Sequence, residues 1–217
     1  FFLKPLSKTG VLEAIMGVCN TPFLKNKYNL NFPEAELELP YLITDDICRD
    51  TDSHIAPLLQ LLLYNMWNKA YKRNREKPTF TTELYNEMKQ PNLDKMLEAQ
   101  LEKFKKDFPK TIANGLALDI LYFHTSELGT AAKRGYGKLQ KNYNHIDDIY
   151  NILDGLKKLF LLTGPNISRI TQSLYARLAH DSLAPLVIKR FNTSDKAGQR
   201  AFRILESKRF DMDKEHK

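Results

Sequence analysis

Residues Tyr175 to Arg190, YARLAHDSLAPLVIKR, constrain the fold of this 217-residue chain more than any other stretch. A short alternating run ends in a His-Asp pair, and the pair opens directly into an apolar helix. Leu174, Ala176 and Leu178 fall on one face of the run and Tyr175 and Arg177 on the other, the period of a half-buried strand. Pro185 sits in the first turn of the helix, where a missing N–H costs nothing. Leu183, Leu186 and Val187 follow at helical spacing, and Asp181 or Ser182 is placed to cap. His180 is thereby left at a strand–helix junction. Unpaired backbone N–H groups and the helix dipole favour an anion at such a place.

Helical patterns fill most of the remaining chain. Ser7 caps a helix through about Met16, with Val11, Leu12, Ile15 and Met16 on its buried face. Asn20 to Glu38 reads mostly as connection, because Pro22 and Pro33 oppose long regular structure. A short helix after Pro40 is expected to bury Leu42, Ile43 and Ile47. The strongest helix of this half is SHIAPLLQLLLYNMWNKAYKR. Its stripe of Ile55, Leu58, Leu59, Leu62, Met66 and Ala70 is widened by Leu61, Leu63 and Trp67, so it needs cover on several sides. Thr81-Thr82-Glu83 begins a further short helix, and Gln90-Pro91-Asn92 marks the clearest internal boundary.

Beyond that boundary Leu93, Leu97, Leu101, Phe104 and Phe108 trace one helical face. After Pro109, Ile112, Leu116, Ile120 and Phe123 trace a second. Glu127 to Asn144 reads as a polar, basic, flexible loop whose glycines do not match a phosphate-cradling P-loop. Asn144 caps a helix carrying Ile149, Ile152, Leu153, Leu156 and Leu159. Phe160 to Thr163, a Gly164-Pro165-Asn166 turn and Leu174 to Leu178 then form a hairpin. Helix, helix, loop, helix, hairpin is the order of a winged helix. The expectation is a mainly α chain: a helical domain over 1–90, a winged-helix domain with a small β-hairpin over 91–192, and a basic linker helix and tail over 193–217. In that last helix Ala201, Ile204 and Leu205 mark the apolar side.

Composition narrows the function classes. The net charge of +7 raises the question of nucleic acid or an acidic partner. Much of the excess is local, however: Lys69, Lys72, Arg73, Arg75 and Lys77 gather against Glu76, as on a solvated helix end. The helix in the recognition position of a winged helix, Asn144 to Lys158, carries Asp147, Asp148 and Asp154, which argues against DNA reading. No apolar run is long enough to span a bilayer. Cys19 and Cys48 read as two reduced, buried thiols of a cytoplasmic protein, and neither they nor the scattered histidines have metal-site spacing. There is no Walker A, HExxH or GxSxG motif. Asp45-Asp46 and Asp147-Asp148 read as first-turn acids that complement the helix dipole. No catalytic residue is expected. The chain begins at Phe1 with a helical pattern close behind, and is read as part of a longer polypeptide.

Several of these stretches resemble one family. FFLKPLSKTGVLEAIMGV resembles the segment that leaves the nucleotide-binding domain of STAND NTPases, the signal-transduction ATPases with numerous domains. SHIAPLLQLLLYNMW resembles their first helical domain, with Ile55-Ala56-Pro57 where the family has a GxP pattern. LAHDSLAPLV resembles the His-containing motif of their winged-helix domain, with Ala179 in place of methionine. SDKAGQRAFRILESKR resembles the segment after that motif in bacterial "novel STAND" members. The resemblance implies that Pro57 packs on the adenine of ADP or ATP, that His180 hydrogen-bonds the β-phosphate of ADP, and that Asp181 caps the next helix and orients His180. It further implies an upstream P-loop domain holding the nucleotide with Mg, and a homo-oligomer on activation in prokaryotic defence or signalling. A protein-interaction adaptor of the same helical build remains the alternative, beside the nucleic-acid module.

Overall fold

The computed structural model describes residues 6–49, 55–89, 92–143, 149–165 and 175–215, with the backbone alone for 210–215. The chain is mainly helical, with twelve α-helices and one small three-stranded antiparallel sheet among the described residues. It divides into two units, Phe1–Met96 and Leu97–Lys217. The boundary expected at Gln90-Pro91-Asn92 lies just before this division, and residues 90 and 91 are outside the described ones.

In the first unit, α1 (Lys8–Asn20) starts where Ser7 accepts a hydrogen bond from Gly10 N–H at 3.1 Å, as its position predicts. α3 (Leu39–Cys48), α4 (Ile55–Arg73) and α5 (Thr82–Met88) pack with α1 around Val11, Ile15, Ile43, Met66, Leu84 and Tyr85, all within 1% of full burial. Three expectations change here. Pro22 does not prevent regular structure: it occupies the first position of α2 (Pro22–Tyr28), where proline is tolerated, and a 3-10 turn follows at Glu34–Glu36. Leu42 is exposed, because the buried face of α3 is centred on Leu39 and Ile43. Asp45 and Asp46 lie in the last turns of α3 rather than the first. Their charges are met by cations and a phenol instead of the dipole: Lys8 pairs with Asp45 at 2.6 Å, and Tyr85 Oη donates to Asp46 at 2.8 Å. The basic end of α4 is exposed as expected at Lys72, Arg73, Arg75 and Lys77, and Lys69 and Arg73 pair with Glu87 of α5. Both cysteines are free and half-buried, and burial pushes the Cys19 thiol pKa up.

In the second unit, α6 (Leu93–Asp107, beginning just before the division) stacks Phe104 on Phe108, and the segment after Pro109 forms two short helices instead of one. α7 (Pro109–Ala113) and α8 (Leu116–Phe123) are broken at Gly115, whose φ of 87° only glycine adopts without strain. The expected loop is largely ordered. It contains β1 (Arg134–Gly135) and α9 (Tyr136–Asn142), which buries Tyr136 and Leu139 three residues apart, a helical pair hidden among lysines. α10 (Ile149–Lys158) buries Ile149, Ile152, Leu153 and Leu156 as predicted. β2 (Leu162–Thr163) and β3 (Tyr175–Leu178) form the expected antiparallel pair, with β1 on the other side of β3. A side chain at Gly164 would meet the Tyr175 carbonyl at 2.3 Å, so the strands approach there only because the residue has none. The expectations for His54, Asn144, His145, Asp147, Asp148, Asn166 and Leu174 lie outside the described residues.

α11 (Leu183–Thr193) packs on α8, and α12 (Ala197–Glu215) joins them through an aromatic cluster. Tyr122 stacks on Phe191 at 3.8 Å, and Phe202 meets both edge-on. The apolar side of α12 is not the side that anchors it. Gln199 is fully buried and Arg203 reaches the Phe191 and Ser194 carbonyls at 2.7 Å, while Ile204 and Leu205 are 56% and 67% exposed.

Candidate functional site

The strand–helix junction at His180 is built on the central strand of the sheet. Leu162 pairs with Leu178 and Arg134 with Ala176, so β3 is held from both edges, and its buried residues are Ala176 and Leu178, as the alternation predicts. Pairing continues one residue further, where Ala179 N–H donates to the Leu161 carbonyl at 3.1 Å. His180 is the first residue past the sheet. Its carbonyl accepts from Leu183 N–H at 3.1 Å and that of Asp181 from Ala184 N–H at 3.0 Å, which turns the chain straight into α11.

No side chain caps α11. Ser182 stands at the N-cap position but already has helical φ and ψ of −63° and −16°, whereas a capping side chain needs an extended backbone. Its buried hydroxyl makes no hydrogen bond among the described residues. The Asp181 carboxylate is engaged elsewhere: Oδ1 accepts from Ala131 N–H at 2.9 Å and from Arg177 Nη2 at 3.1 Å. Asp181 thus ties the junction to the preceding loop instead of to its own helix.

That loop is ordered by its own bonds. Ser126 N–H donates to the Thr130 carbonyl at 2.8 Å, Ala132 N–H to the His124 carbonyl at 2.7 Å, and Arg134 to the Phe123 and Thr125 carbonyls at 3.3 Å each. On the Arg177 face of β3, Lys133 Nζ sits 3.7 Å from the Tyr175 ring centre. Arg177 Nε is buried and makes no hydrogen bond among the described residues. Beside the junction, then, Arg177 is paired with Asp181 and Lys133 stands over Tyr175.

His180 is half-buried, and burial lowers its pKa from the ordinary imidazole value; the nearby Arg177 charge adds to the effect and Asp181 opposes it. The lowered pKa favours the neutral ring, which has one N–H donor and one acceptor nitrogen. An anion brought against it would raise the pKa again and strengthen the donated bond.

Of the three residues singled out in the sequence, His180 and Asp181 stand together at this junction in the second unit. Pro57 is buried in the first turn of α4 in the first unit, with Ala56 before it exposed. The tether from Asp181 to Ala131 has no signature in the sequence. Only the four-residue spacing of Arg177 and Asp181 hints at the second tie. His124, fully buried at the end of α8, is equally unmarked. His124 Nδ1 lies 2.7 Å from the Ile120 carbonyl and must carry the proton there, which leaves Nε2 as a buried acceptor without a partner among the described residues. Burial brings its pKa down to about 4. Among the described residues no cluster of three or more His, Cys, Asp or Glu could hold a metal ion, and no helix is long and apolar enough to cross a membrane. Comparison of the chain with protein-family models, with curated proteins and with solved structures returns no match.

Proposed function

We propose that this chain is the regulatory helical and winged-helix portion of a STAND-type nucleotide switch, closing over ADP or ATP held with Mg by a P-loop domain that precedes it. The observation that carries the reading is the half-buried His180 at the junction where β3 runs into α11, in a turn that Asp181 ties to Ala131 and Arg177. The topology supports it as well. The order α8, β1, α9, α10, β2, β3, with β3 between the other two strands, is the order a winged helix needs, and α9 supplies a helix in a stretch whose sequence reads as loop.

In this mechanism His180 would hold the β-phosphate of ADP in the resting arrangement, through its ring N–H. Asp181 acts as a positioning residue, because its bonds to Ala131 and Arg177 fix the turn that aims the ring. The adenine contact of Pro57, which is buried in α4 of the first unit, rests on the resemblance alone. The bound nucleotide supplies the phosphate charge on which the grip depends. A ligand that bridges two bodies shifts their arrangement only by its differential affinity for the two states. With ATP in place of ADP the hold through His180 would weaken, and the chain would be free to form a homo-oligomer in the cytoplasm. This portion then acts as a lever and carries no catalytic residue itself. A DNA-reading role for α10 is less well supported, since its half-buried Asp154 holds the Lys158 cation at 2.8 Å.

The test is ADP retention by the full-length protein. Loss of one charge-assisted hydrogen bond in His180→Ala is expected to weaken ADP binding about 10-fold or more and raise basal activity. Unchanged ADP affinity together with unchanged basal activity would overturn the reading. The chain by itself is expected to show no thermal stabilisation by millimolar ADP, because ligand-linked stabilisation needs affinity for the folded state.

A further inference from the structure

The C-terminal end of α4, in the first unit, carries a ladder of flat side chains. Trp67, Tyr71 and Arg75 stand four residues apart: the Trp67 and Tyr71 rings stack at 5.0 Å and 17°, and the Arg75 guanidinium lies over the Tyr71 ring at 6.0 Å. Tyr28 of α2 meets the Trp67 ring edge-on at 5.6 Å, and Lys27 Nζ lies 5.2 Å from the Tyr28 ring centre. The fold does not seal these rings off. Tyr71 is 38% exposed, and Phe23, one helical turn before Lys27 on α2, is 71% exposed.

Hydrogen bonds hold the two segments side by side. Asn31 N–H donates to the Pro78 carbonyl at 2.9 Å, Phe80 N–H to the Asn31 carbonyl at 3.0 Å, and the Asn29 side-chain amide to the Glu76 carbonyl. Asn74 Oδ1 accepts the N–H groups of Glu76 and Lys77 at 3.0 and 3.1 Å, which orders the turn after α4. Folding thereby brings Lys27 to the segment that carries Lys72, Arg75 and Lys77. All four cations are exposed, and none has an ion pair among the described residues. Glu87 is already taken by Lys69 and Arg73, and Glu76 is the one acid within residues 69–77.

We infer that these rings and cations bind an unpaired nucleic-acid strand, with bases stacking on Tyr71 and Phe23 and phosphates meeting Lys27, Lys72, Arg75 and Lys77. Charge alone would accept any polyanion, and the rings decide the class. A duplex keeps its bases stacked on one another, and an acidic peptide offers carboxylates without flat rings. A single strand presents a phosphate and a free π-face at every nucleotide. Arg75 stands at the outer limit of a cation–π contact, so it can shift onto the far side of an entering base. Recognition by stacking tolerates any base sequence. The surface lies wholly in the first unit and uses neither α10 nor His180, so it stands apart from the nucleotide-switch reading.

Fluorescence anisotropy of the intact chain with a labelled oligothymidylate of about 15 nucleotides, a strand without pairing of its own, is the test. Binding is expected at about 0.05 M salt, with log K falling against log salt at a slope of about −3 for four phosphate contacts. Tyr71→Ala is expected to weaken binding at least about fivefold with the slope unchanged, while Tyr71→Phe binds as wild type does. Lys27→Gln with Lys77→Gln is expected to make the slope shallower by about 1.4. Arg200→Gln with Lys208→Gln removes the same charge from the second unit and is expected to leave affinity and slope nearly as they are. Matching thermal melts establish that the variants fold, and the two lysine substitutions carry the test if Tyr71→Ala does not. A chain that fails to bind the strand at about 0.05 M salt overturns the inference. So does a Tyr71→Ala chain that folds and binds as wild type, or an equal loss in the Arg200 and Lys208 variant. A duplex of the same length competing as well as the strand would reduce the binding to plain charge attraction and overturn it too. Oligoglutamate competing equally would do the same and point to an acidic protein partner.

Discussion

In the first unit, α1, α3, α4 and α5 cover one another's apolar stripes, and the specific polar contacts lie at the margins, as with Lys8–Asp45 and the cluster around Glu87. In the second unit, short helices and a minimal sheet are held at particular points by side chains that bond to the backbone of distant segments. Gln199 binds the Gly115 carbonyl and the Asp119 carboxylate, Arg134 clasps the end of α8, Arg203 holds the end of α11, and Asp181 holds the loop at Ala131. A helix cluster of the first kind distributes its stability over many replaceable contacts. A tethered assembly of the second kind concentrates it in a few groups that have no substitute. It can also present a polar side chain at a defined point, and the candidate site lies in that unit.

The comparison breaks most visibly through the core of the first unit. Ile43 is fully buried, and Ile43→Ala is expected to cost about 2–5 kcal/mol, from lost transfer energy and the cavity left behind. Urea denaturation followed by a probe in each unit is the check. The loss should appear in the transition reporting the first unit.

Acid is the corresponding lever on the second unit. His124 has a folded-state pKa of about 4, below its unfolded value near 6.5. The unfolded chain therefore binds the proton first as pH falls. The stability contributed by the neutral ring is fully present above about pH 6.5 and is lost as pH falls toward 4, on the order of 3 kcal/mol in total. His180 is shifted the same way and adds to the slope. His124→Gln is expected to flatten the unfolding free energy of the second unit between pH 7 and 4; an unaltered slope would discard the assignment to this residue.

The tether at Gly115 sharpens the contrast. A methyl group there would come within 2.6 Å of Gln199 Oε1, at a φ of 87° that disfavours any L side chain. Gly115→Ala is expected to destabilise by about 1–3 kcal/mol. Gln199→Ala leaves a buried carbonyl and Asp119 short of a donor, a loss in the same range. The double variant should cost less than the sum, because removing Gln199 also removes the clash.

Residue by residue, the same division explains what is legible in the sequence. Periodicity locates α1, α4, α6 and α10, because each turns one apolar stripe to its neighbours. The β2–β3 pair and its direction into α11 are legible from strict alternation followed by Pro185 in a first helical turn. Among the site residues, the location of His180 at a junction is legible, but its surroundings are not. Asp181 binds a backbone N–H fifty residues away, and no local pattern encodes a partner at that distance. α9 is hidden for a related reason, since two buried residues among four polar ones and a glycine carry too little periodic signal. Ile204 and Leu205 of α12 are the opposite case. Their spacing marks an apolar side, which is exposed, while Gln199, Phe202 and Arg203 supply the anchoring contacts that no period marks.

Two serines at helix starts give the smallest and most direct test of the contrast. Ser7 has extended φ and ψ of −74° and 163°, and its hydroxyl accepts the Gly10 N–H. Ser7→Ala is expected to cost about 1 kcal/mol, and Ser7→Gly only a few tenths. Ser182 occupies the matching position of α11, but its backbone is already helical and its buried hydroxyl is unpartnered among the described residues. Ser182→Ala therefore removes a desolvated polar group and no hydrogen bond, and is expected to be neutral or slightly stabilising. Equilibrium unfolding of the two alanine variants should separate them by about 1 kcal/mol or more. Equal losses would mean that Ser182 caps α11 after all, leaving Asp181 as a supplement to that cap and removing the reason to treat its bond to Ala131 as what fixes the turn at His180.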